Sequence, residues 1–411
     1  MKDYHVLTPE EAVEYVRGIK DVFPDGAQLK SREIGDGNLN HVFHISDPAS
    51  GRSLIVKQAL PYAKVIGEAV PLTLDRVRIE SEALSIQGKL RPDLTPKVYA
   101  YEPDLALMVM EDLSDHTPMR RGLMERGRYP LFAGHIGSFL AQTSFFTSDL
   151  AMDQQEKKLL VKAFINPELC SITEDLIFYA PYTKSRMNRF EPQIRDAVER
   201  IWADTDLHLE VMLLREKIMT KAEALLHGDL HTDNIFVKPD STKVIDPEFA
   251  YYGPMGFDIG TVLANLLLNY SGQEGWSANE TERTDYRRYL LDTVRDLWTQ
   301  FELQFRELWN GHAADRMART RGYQDLYMAR LLQDTIGFAG VLMVCRVYGF
   351  IHVADIDRID DAAARERAQR IALEIGAALI KGNRSARSIE DLLDIALEAA
   401  NRGNGDCLGR Q

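Results

Sequence analysis

Between Ala224 and Glu248 the chain alternates short apolar runs with short polar loops, a pattern that leaves little freedom in what it can build. Ala224-Leu225-Leu226, Ile235-Phe236-Val237 and Lys243-Val244-Ile245 each read as a brief β-strand. The first two bracket the loop His227-Gly228-Asp229-Leu230-His231-Thr232-Asp233-Asn234, and the third runs into Asp246-Pro247-Glu248. Functional polar groups are therefore expected on two tight loops, each pinned by strands.

Four residues separate Asp229 from Asn234 in that loop, as they do the proton-accepting Asp from the magnesium-binding Asn in a kinase catalytic loop. Phosphoryl transfer needs a carboxylate to accept a hydroxyl proton, and oxygen ligands for a magnesium ion that bridges nucleotide phosphates. Asp229 meets the first need. Asn234 and Asp246 meet the second, with Glu248 a further candidate. Asp and Asn also serve plain turns, so the spacing alone would carry little; the flanking strands and the acidic strand end raise its weight. A zinc helix is the competing reading, since His227 and His231 are spaced i, i+4. Gly228 stands where such a helix carries Glu, and the β-type runs on both sides argue against any helix, so the histidines are read as orienting the loop.

A net charge of −13 argues against a nucleic-acid partner, because binding a phosphate polymer calls for basic surface. The 411 residues, 45% apolar and 27% charged, suffice for two lobes with substantial cores. No apolar run approaches the roughly 20 residues of a membrane span; the longest, Ile336 to Cys345, reads as a buried helix, and no membrane partner is expected. Three cysteines, Cys170, Cys345 and Cys407, without a CxxC pair, fit a reducing cytoplasm. Thr8-Pro9-Glu10-Glu11 reads as a capping-box helix start, not part of a signal peptide.

The fold expected is α+β and bilobal, protein kinase-like, with a small mixed β-sheet N-lobe and a mostly helical C-lobe. Residues 1–113 form the nucleotide-binding lobe with a hinge at 111–113, residues 114–400 the catalytic and substrate lobe, and 401–411 a flexible tail. In the first lobe Gly35-Asp36-Gly37-Asn38-Leu39-Asn40 reads as a turn able to cover phosphates through backbone N–H groups, or as a plain hairpin turn. Lys57 ends the strand Leu54-Ile55-Val56 and resembles the strand lysine that grips nucleotide phosphates. Such a lysine needs an acidic partner from the following helix; Glu80 is the choice and Glu82, in the same turn, the fallback. Leu107-Met108-Val109-Met110 runs into Glu111-Asp112-Leu113, whose backbone could pair with an adenine edge.

These stretches carry a family resemblance over nearly the whole chain. The sequence resembles the 5-methylthioribose kinases, a branch of the aminoglycoside phosphotransferase and choline kinase-like superfamily. Besides the loops above, the resemblance rests on Ile55-Val56-Lys57-Gln58-Ala59-Leu60-Pro61-Tyr62, Met110-Glu111-Asp112-Leu113-Ser114, Asn166-Pro167-Glu168-Leu169-Cys170 and, most specifically, the run from Val244 to Gly260. It implies ATP- and Mg2+-dependent phosphorylation of the 1-hydroxyl of 5-methylthioribose, a step of methionine salvage, by a cytoplasmic homodimer acting on a small-molecule sugar. By the resemblance Asn40 and Lys57 touch the nucleotide phosphates, Glu111, Asp112 and Leu113 the adenine, Asp229 the sugar hydroxyl, and Asp246, Pro247 and Glu248 the nucleotide and its metals. Arg346 is the candidate substrate cation.

The chain departs from the family at two places. Asp233-Asn234 replaces Gly-Ser and restores an amide oxygen for magnesium. Cys345-Arg346 stands where two consecutive arginines are usual, which removes a charge-assisted donor worth about 1.5–3 kcal/mol. A same-fold kinase acting on 5-deoxyribose or another small alcohol therefore stays open as the alternative.

Overall fold

The computed structural model describes residues 4–34, 40–63 and 67–408, without the side chains of 63, 67–70 and 403–408. The turn expected at 35–40 thus lies outside the described residues except for Asn40, and the Cys407 side chain lies outside them too. The chain forms two compact units, one of Met1–His116 with Lys243–Ala250, the other of Thr117–Thr242 with Tyr251–Gln411. The first carries the main sheet and the second is mostly helical, which is the expected α+β kinase-like class.

In the first unit α1 (Pro9–Arg17) begins where the sequence places it. Thr8 Oγ1 accepts the Glu11 N–H at 3.2 Å and Glu11 Oε2 accepts the Thr8 N–H at 2.8 Å, a reciprocal cap with Pro9 in the first turn. There follow β1 (Lys30–Glu33), β2 (Asn40–Asp47), β3 (Arg52–Ala59), a separate ladder of β4 (Tyr62–Ala63) with β5 (Gly67–Pro71), α2 (Arg76–Leu90), β6 (Val98–Glu102) and β7 (Leu107–Glu111). The sheet order is β1-β2-β3-β7-β6, antiparallel throughout.

Strand alternation then decides what faces what. Phe43, Ile45, Leu54, Val56, Leu107 and Val109 bury one face against Ala12 and Val16 of α1. Ala59, Met108 and Met110 bury the other against Val77 and Leu84 of α2. Lys57 pairs across the ladder with Met108, so its side chain leaves the sheet on the α2 face. Truncating the fully buried Met108 to Ala would cost about 2–5 kcal/mol and loosen the floor beneath that lysine. Residues 243–250 join this unit although distant in sequence. Val244 N–H donates to Leu94 O at 2.7 Å, Lys243 Nζ donates to Thr95 O at 3.0 Å, and Ile245 packs beside Met108 and Met110.

The second unit opens with β8 (Thr117–Pro118), α3 (Met119–Met124), α4 (Phe132–Phe146), α5 (Gln154–Ala163), α6 (Pro167–Phe178), α7 (Arg195–Ala203) and α8 (Thr205–Thr220). The three short strands read from the sequence appear as β9 (Ala224–Leu225), β10 (Ile235–Lys238) and β11 (Ser241–Val244), followed by β12 (Tyr252–Gly253). β9 pairs with β12 and β10 with β8, which pins both ends of the 227–234 loop. The rest is helical: α9 (Gly256–Trp276), α10 (Glu280–His312), α11 (Tyr323–Tyr348), α12 (Ala354–Asp357), α13 (Ala362–Gly382) and α14 (Ile389–Leu408). α14 continues to Leu408, across residues for which the sequence suggests a flexible tail, because its buried turn at Ala396, Ala399 and Ala400 offers a formed helix to propagate from.

α9 is buried along nearly its whole length. A Cβ at Gly260 would lie 2.7 Å from Thr335 O and 2.9 Å from Ala339 N, so α9 and α11 cross backbone against backbone and only glycine fits there. Among the described residues α11 is the one helix long and apolar enough to cross a membrane, but 83% of its apolar window is buried inside the protein. It is a core helix, as the run Ile336 to Cys345 suggests.

Candidate active site

In the second unit the β9–β10 loop bends at Gly228, whose φ of +82° is left-handed and favours glycine. The first turn of α9 holds the bend: Asp258 Oδ2 accepts the His227 N–H at 2.6 Å and Oδ1 accepts the Gly228 N–H at 3.0 Å. Burial pushes the Asp258 carboxyl up to about 7, with Asp229 adding to the rise and the two N–H groups opposing it. Asp258 lies within the stretch that carries the resemblance, yet the sequence offered no reason to single it out.

Asp229 is the best-framed side chain of the loop. His231 Nε2 stands 3.3 Å from its Oδ2, and Arg346 Nη2, from the last turn of α11, stands 3.4 Å from its Oδ1. Burial alone would raise this carboxyl, but His231, then Arg346 and His227, outweigh it and hold Asp229 well below the usual carboxylate range. The side chain is still 27% exposed, so a hydroxyl can reach it. Asn234 Nδ2 donates to Asp229 O at 3.0 Å, which fixes the amide and leaves its oxygen for another partner. Asp229, Asn234 and Arg346 are thus gathered at one place.

The first unit gathers Asn40, Lys57, Glu80, Asp246 and Glu248. Val77, Glu80, Leu84 and Gln87 are buried at helical spacing, so Glu80 faces the sheet. Lys57 Nζ is 2.8 Å from Glu80 Oε2 and also donates to Asp246 Oδ1. Glu82 instead pairs with Arg78 at 2.9 Å on the outer side of α2. Asp246 sits at a φ of +67°, a left-handed conformation that Asp tolerates better than most residues and that turns the chain sharply after β11. Pro247 O accepts the Ala250 N–H at 3.1 Å and closes the turn.

Arg76, which the sequence reading passed over, is fully buried beneath this cluster. It donates to Leu60 O and Thr73 O, both at 2.7 Å, and to Asn40 Oδ1 at 3.0 Å, and its Nε lies 3.3 Å from Glu248 Oε2. Asn40 Nδ2 in turn donates to Glu248 Oε2 at 3.2 Å, so Arg76, Asn40 and Glu248 close a triangle. A buried Arg is invisible in the sequence because arginine is usually exposed.

Glu80, Asp246 and Glu248 each offer a carboxylate oxygen, and the three lie within 4.8 Å of one another. Burial lowers Lys57, but Asp246, Glu80 and Glu248 outweigh it and keep the ammonium protonated. Burial raises Glu80 and Glu248, and their mutual repulsion with Asp246 adds to it against the pull of Lys57. The 2.8 Å approach to a protonated lysine makes the Lys57–Glu80 pair ionic, so the raised carboxyls mark surplus negative charge. Glu80 Oε1 is also buried with no hydrogen-bond partner among the described residues. Hard oxygen donors with uncompensated charge suit a magnesium ion.

At the end of β7 the acidic side chains are already committed. Glu111 Oε2 accepts the Lys97 N–H at 3.0 Å. Asp112 accepts from Ser53 Oγ at 2.6 Å and from the Ser114 N–H at 3.0 Å, and lies 3.0 Å from His44 Nε2; these contacts outweigh burial and lower its carboxyl. Leu113 O accepts the His116 N–H at 2.9 Å.

Comparison with known proteins adds to this geometry. Residues 30–303 match the phosphotransferase enzyme family. The chain is 46% identical to the methylthioribose kinase of Geobacillus sp. (strain WCH70) over 389 residues, 95% of each chain. It is 41% identical to that of Bacillus cereus (strain B4264) over 400 residues, 97% of this chain and 99% of the relative. Among solved structures, the choline kinase from Cryptosporidium parvum Iowa II superposes with a TM-score of 0.45 at 12% identity, covering 96% of this chain and 97% of that one.

Proposed function

The chain belongs to the phosphotransferase enzyme family and, within it, to the methylthioribose kinases, and we propose that it transfers the γ-phosphoryl group of ATP to the 1-hydroxyl of 5-methylthioribose. The observation that carries this is 46% identity over 95% of both chains. The products are 5-methylthioribose 1-phosphate and ADP, which places the reaction in methionine salvage.

In this reading the first unit holds the nucleotide. Lys57, kept protonated and oriented by Glu80, binds its phosphates with Asn40, and backbone groups of Glu111 to Leu113 bind the adenine at a hinge. Asp246 and Glu248 would hold magnesium. Bound there, the ion would neutralise charge on the phosphate oxygens. The second unit holds the acceptor. Asp229 accepts a hydrogen bond from the attacking hydroxyl and aims its oxygen at the γ-phosphorus. The new O–P bond forms as the β–γ bridging P–O bond breaks, ADP leaves with the electron pair, and the hydroxyl proton passes to Asp229. A carboxylate held low by two neighbours is a weak base, so that proton moves late and the main task of Asp229 is orientation.

Action as a homodimer in the cytoplasm belongs to the same reading and is supported by the family resemblance. The test of substrate is an ADP-release assay with ATP and magnesium against 5-methylthioribose, 5-deoxyribose, ribose, choline and an aminoglycoside. The highest kcat/KM is expected for 5-methylthioribose. A clear preference for 5-deoxyribose would favour the second reading, to which Cys345 beside a single Arg346 points, and would overturn the acceptor assignment while leaving the kinase mechanism.

A further inference from the structure

Arg120, on α3, takes no part in the chemistry above, yet it is one of the most heavily engaged side chains of the second unit. It is 5% exposed. Its Nε donates to Asp233 Oδ2, its Nη1 to Asp355 Oδ2, its Nη2 to Asn265 Oδ1 at 2.8 Å, and its backbone N–H to Thr232 O at 3.1 Å. Burial opposes the charge, but Asp355 and Asp233 outweigh it and keep the guanidinium protonated. Asp355 is fully buried and also accepts from Asn269 Nδ2 at 2.7 Å, so its end of the network is rigid.

The contact to Asp233 leads on to the reacting carboxylate. Asp233 N–H donates to His231 Nδ1 at 3.2 Å. A nitrogen that accepts cannot carry the proton, so neutral His231 is assigned as the Nε2–H tautomer. Nε2 is the atom that faces Asp229 Oδ2 at 3.3 Å. The contact to Asp355 leads to the other side, because Asp355 lies on α12, in the segment that follows α11 with its Arg346, whose guanidinium reaches Asp229 Oδ1.

We propose that Arg120 is a positioning residue for phosphoryl transfer: through Asp233 it holds His231 as the donor that orients Asp229, and through Asp355 it ties that loop to the segment following Arg346. The inference rests on the reading of Asp229 as the group that orients the acceptor hydroxyl. A fork with three engaged nitrogens explains why arginine stands here, since a lysine could not hold both carboxylates in one plane. A rigid network between loop and frame is also what a reaction sensitive to sub-ångström placement requires.

The test measures kcat, KM for ATP, KM for 5-methylthioribose and the urea midpoint in Asp233→Ala, His231→Leu, His231→Gln, Arg120→Lys and the double variant Asp233→Ala/His231→Leu. The Asp233 side chain is half exposed, so its removal should leave the fold intact even if an Arg120 variant does not fold. Asp233→Ala and His231→Leu are each expected to lower kcat by roughly 10- to 100-fold with KM for ATP unchanged. His231→Gln, which keeps an N–H donor, should recover part of the loss. The double variant should be no slower than the slower single variant, because both changes break one path. Multiplying losses, or wild-type kcat in Asp233→Ala, would overturn the proposal. Asp229→Asn serves as the separate control: wild-type turnover there would remove the underlying reading of Asp229, whatever the Asp233 variants do.

Discussion

Replacing Asp258 by Ala should both destabilise the second unit and slow the enzyme. Asp258 is 5% exposed and accepts two backbone N–H groups, at 2.6 and 3.0 Å, from the residues immediately before Asp229. The Ala variant orphans both donors. Each orphan costs about 1–3 kcal/mol, so the gross loss is about 2–6 kcal/mol. Removing a carboxyl that burial pushes up to about 7 returns part of that, which puts the net near the lower end. Asp258→Asn keeps one acceptor oxygen and should lose roughly half as much. The carboxyl also sets a pH slope. Its folded pKa of about 7 lies above the unfolded value of about 3.9, so the folded state binds the extra proton in between. Its contribution to stability is therefore full below about pH 4 and is lost as pH rises toward 7. Urea denaturation followed by circular dichroism at several pH values measures both effects, and Asp258→Asn should flatten the slope. An Ala variant within about 0.5 kcal/mol of wild type and with full kcat would refute the claim that this carboxylate holds the loop.

The same geometry makes further predictions. Lys57→Met should weaken ATP binding by about 1.5–3 kcal/mol, the worth of a charge-assisted contact, and calorimetric titration showing unchanged affinity would remove Lys57 from the nucleotide site. Asp229, held below the usual range, contributes stability that is present above about pH 4 and is lost as pH falls through its folded value. The rate profile should accordingly lack an Asp229 limb near pH 4, and His231→Leu should move that limb upward; a wild-type limb there would contradict the two-sided framing. Arg346→Gln should lower kcat/KM for the acceptor while leaving ATP affinity intact, and steady-state kinetics that show only an ATP effect would argue against it.

Much of the fold was legible because it rests on local rules. The capping box at Thr8 to Glu11, the three strands around the Asp229 loop and the buried run in α11 each follow from residues adjacent in sequence. The groups of the two candidate clusters were legible for a related reason: Asp229 and Asn234 in the second unit, and Asp246 in the first, lie on loops whose flanking strands are themselves readable. What stayed hidden acts across long sequence distances. Arg76 reaches Asn40 and Glu248, Arg120 reaches Asp233 and Asp355, and Asp258 reaches back to His227 and Gly228. Each is a charged residue on a helix, where the prior favours solvent. Burial alone overturns that prior, and burial is a property of the assembled unit. Residues 243–250 teach the same lesson, since nothing in their composition tells that they pack with strands more than a hundred positions earlier.

The framing of Asp229 also constrains which acceptor the second unit can favour. Cys345 is 4% exposed, and burial pushes its thiol up to about 11, so it is a neutral filler and supplies no charge. Arg346 therefore acts without a second cation from its neighbour, and it is already turned toward Asp229. A guanidinium shared with the carboxylate has little left for an anionic substituent, while Arg346 would repel a polycationic acceptor. An uncharged sugar avoids both costs. It needs from the site only an orienting carboxylate for its hydroxyl and apolar surface for its 5-substituent, and the affinity that a second arginine would have given must then come from shape. Cysteine in place of one arginine thus leaves a site that an uncharged sugar can use, and it is the retained Arg346 that disfavours a polycationic acceptor.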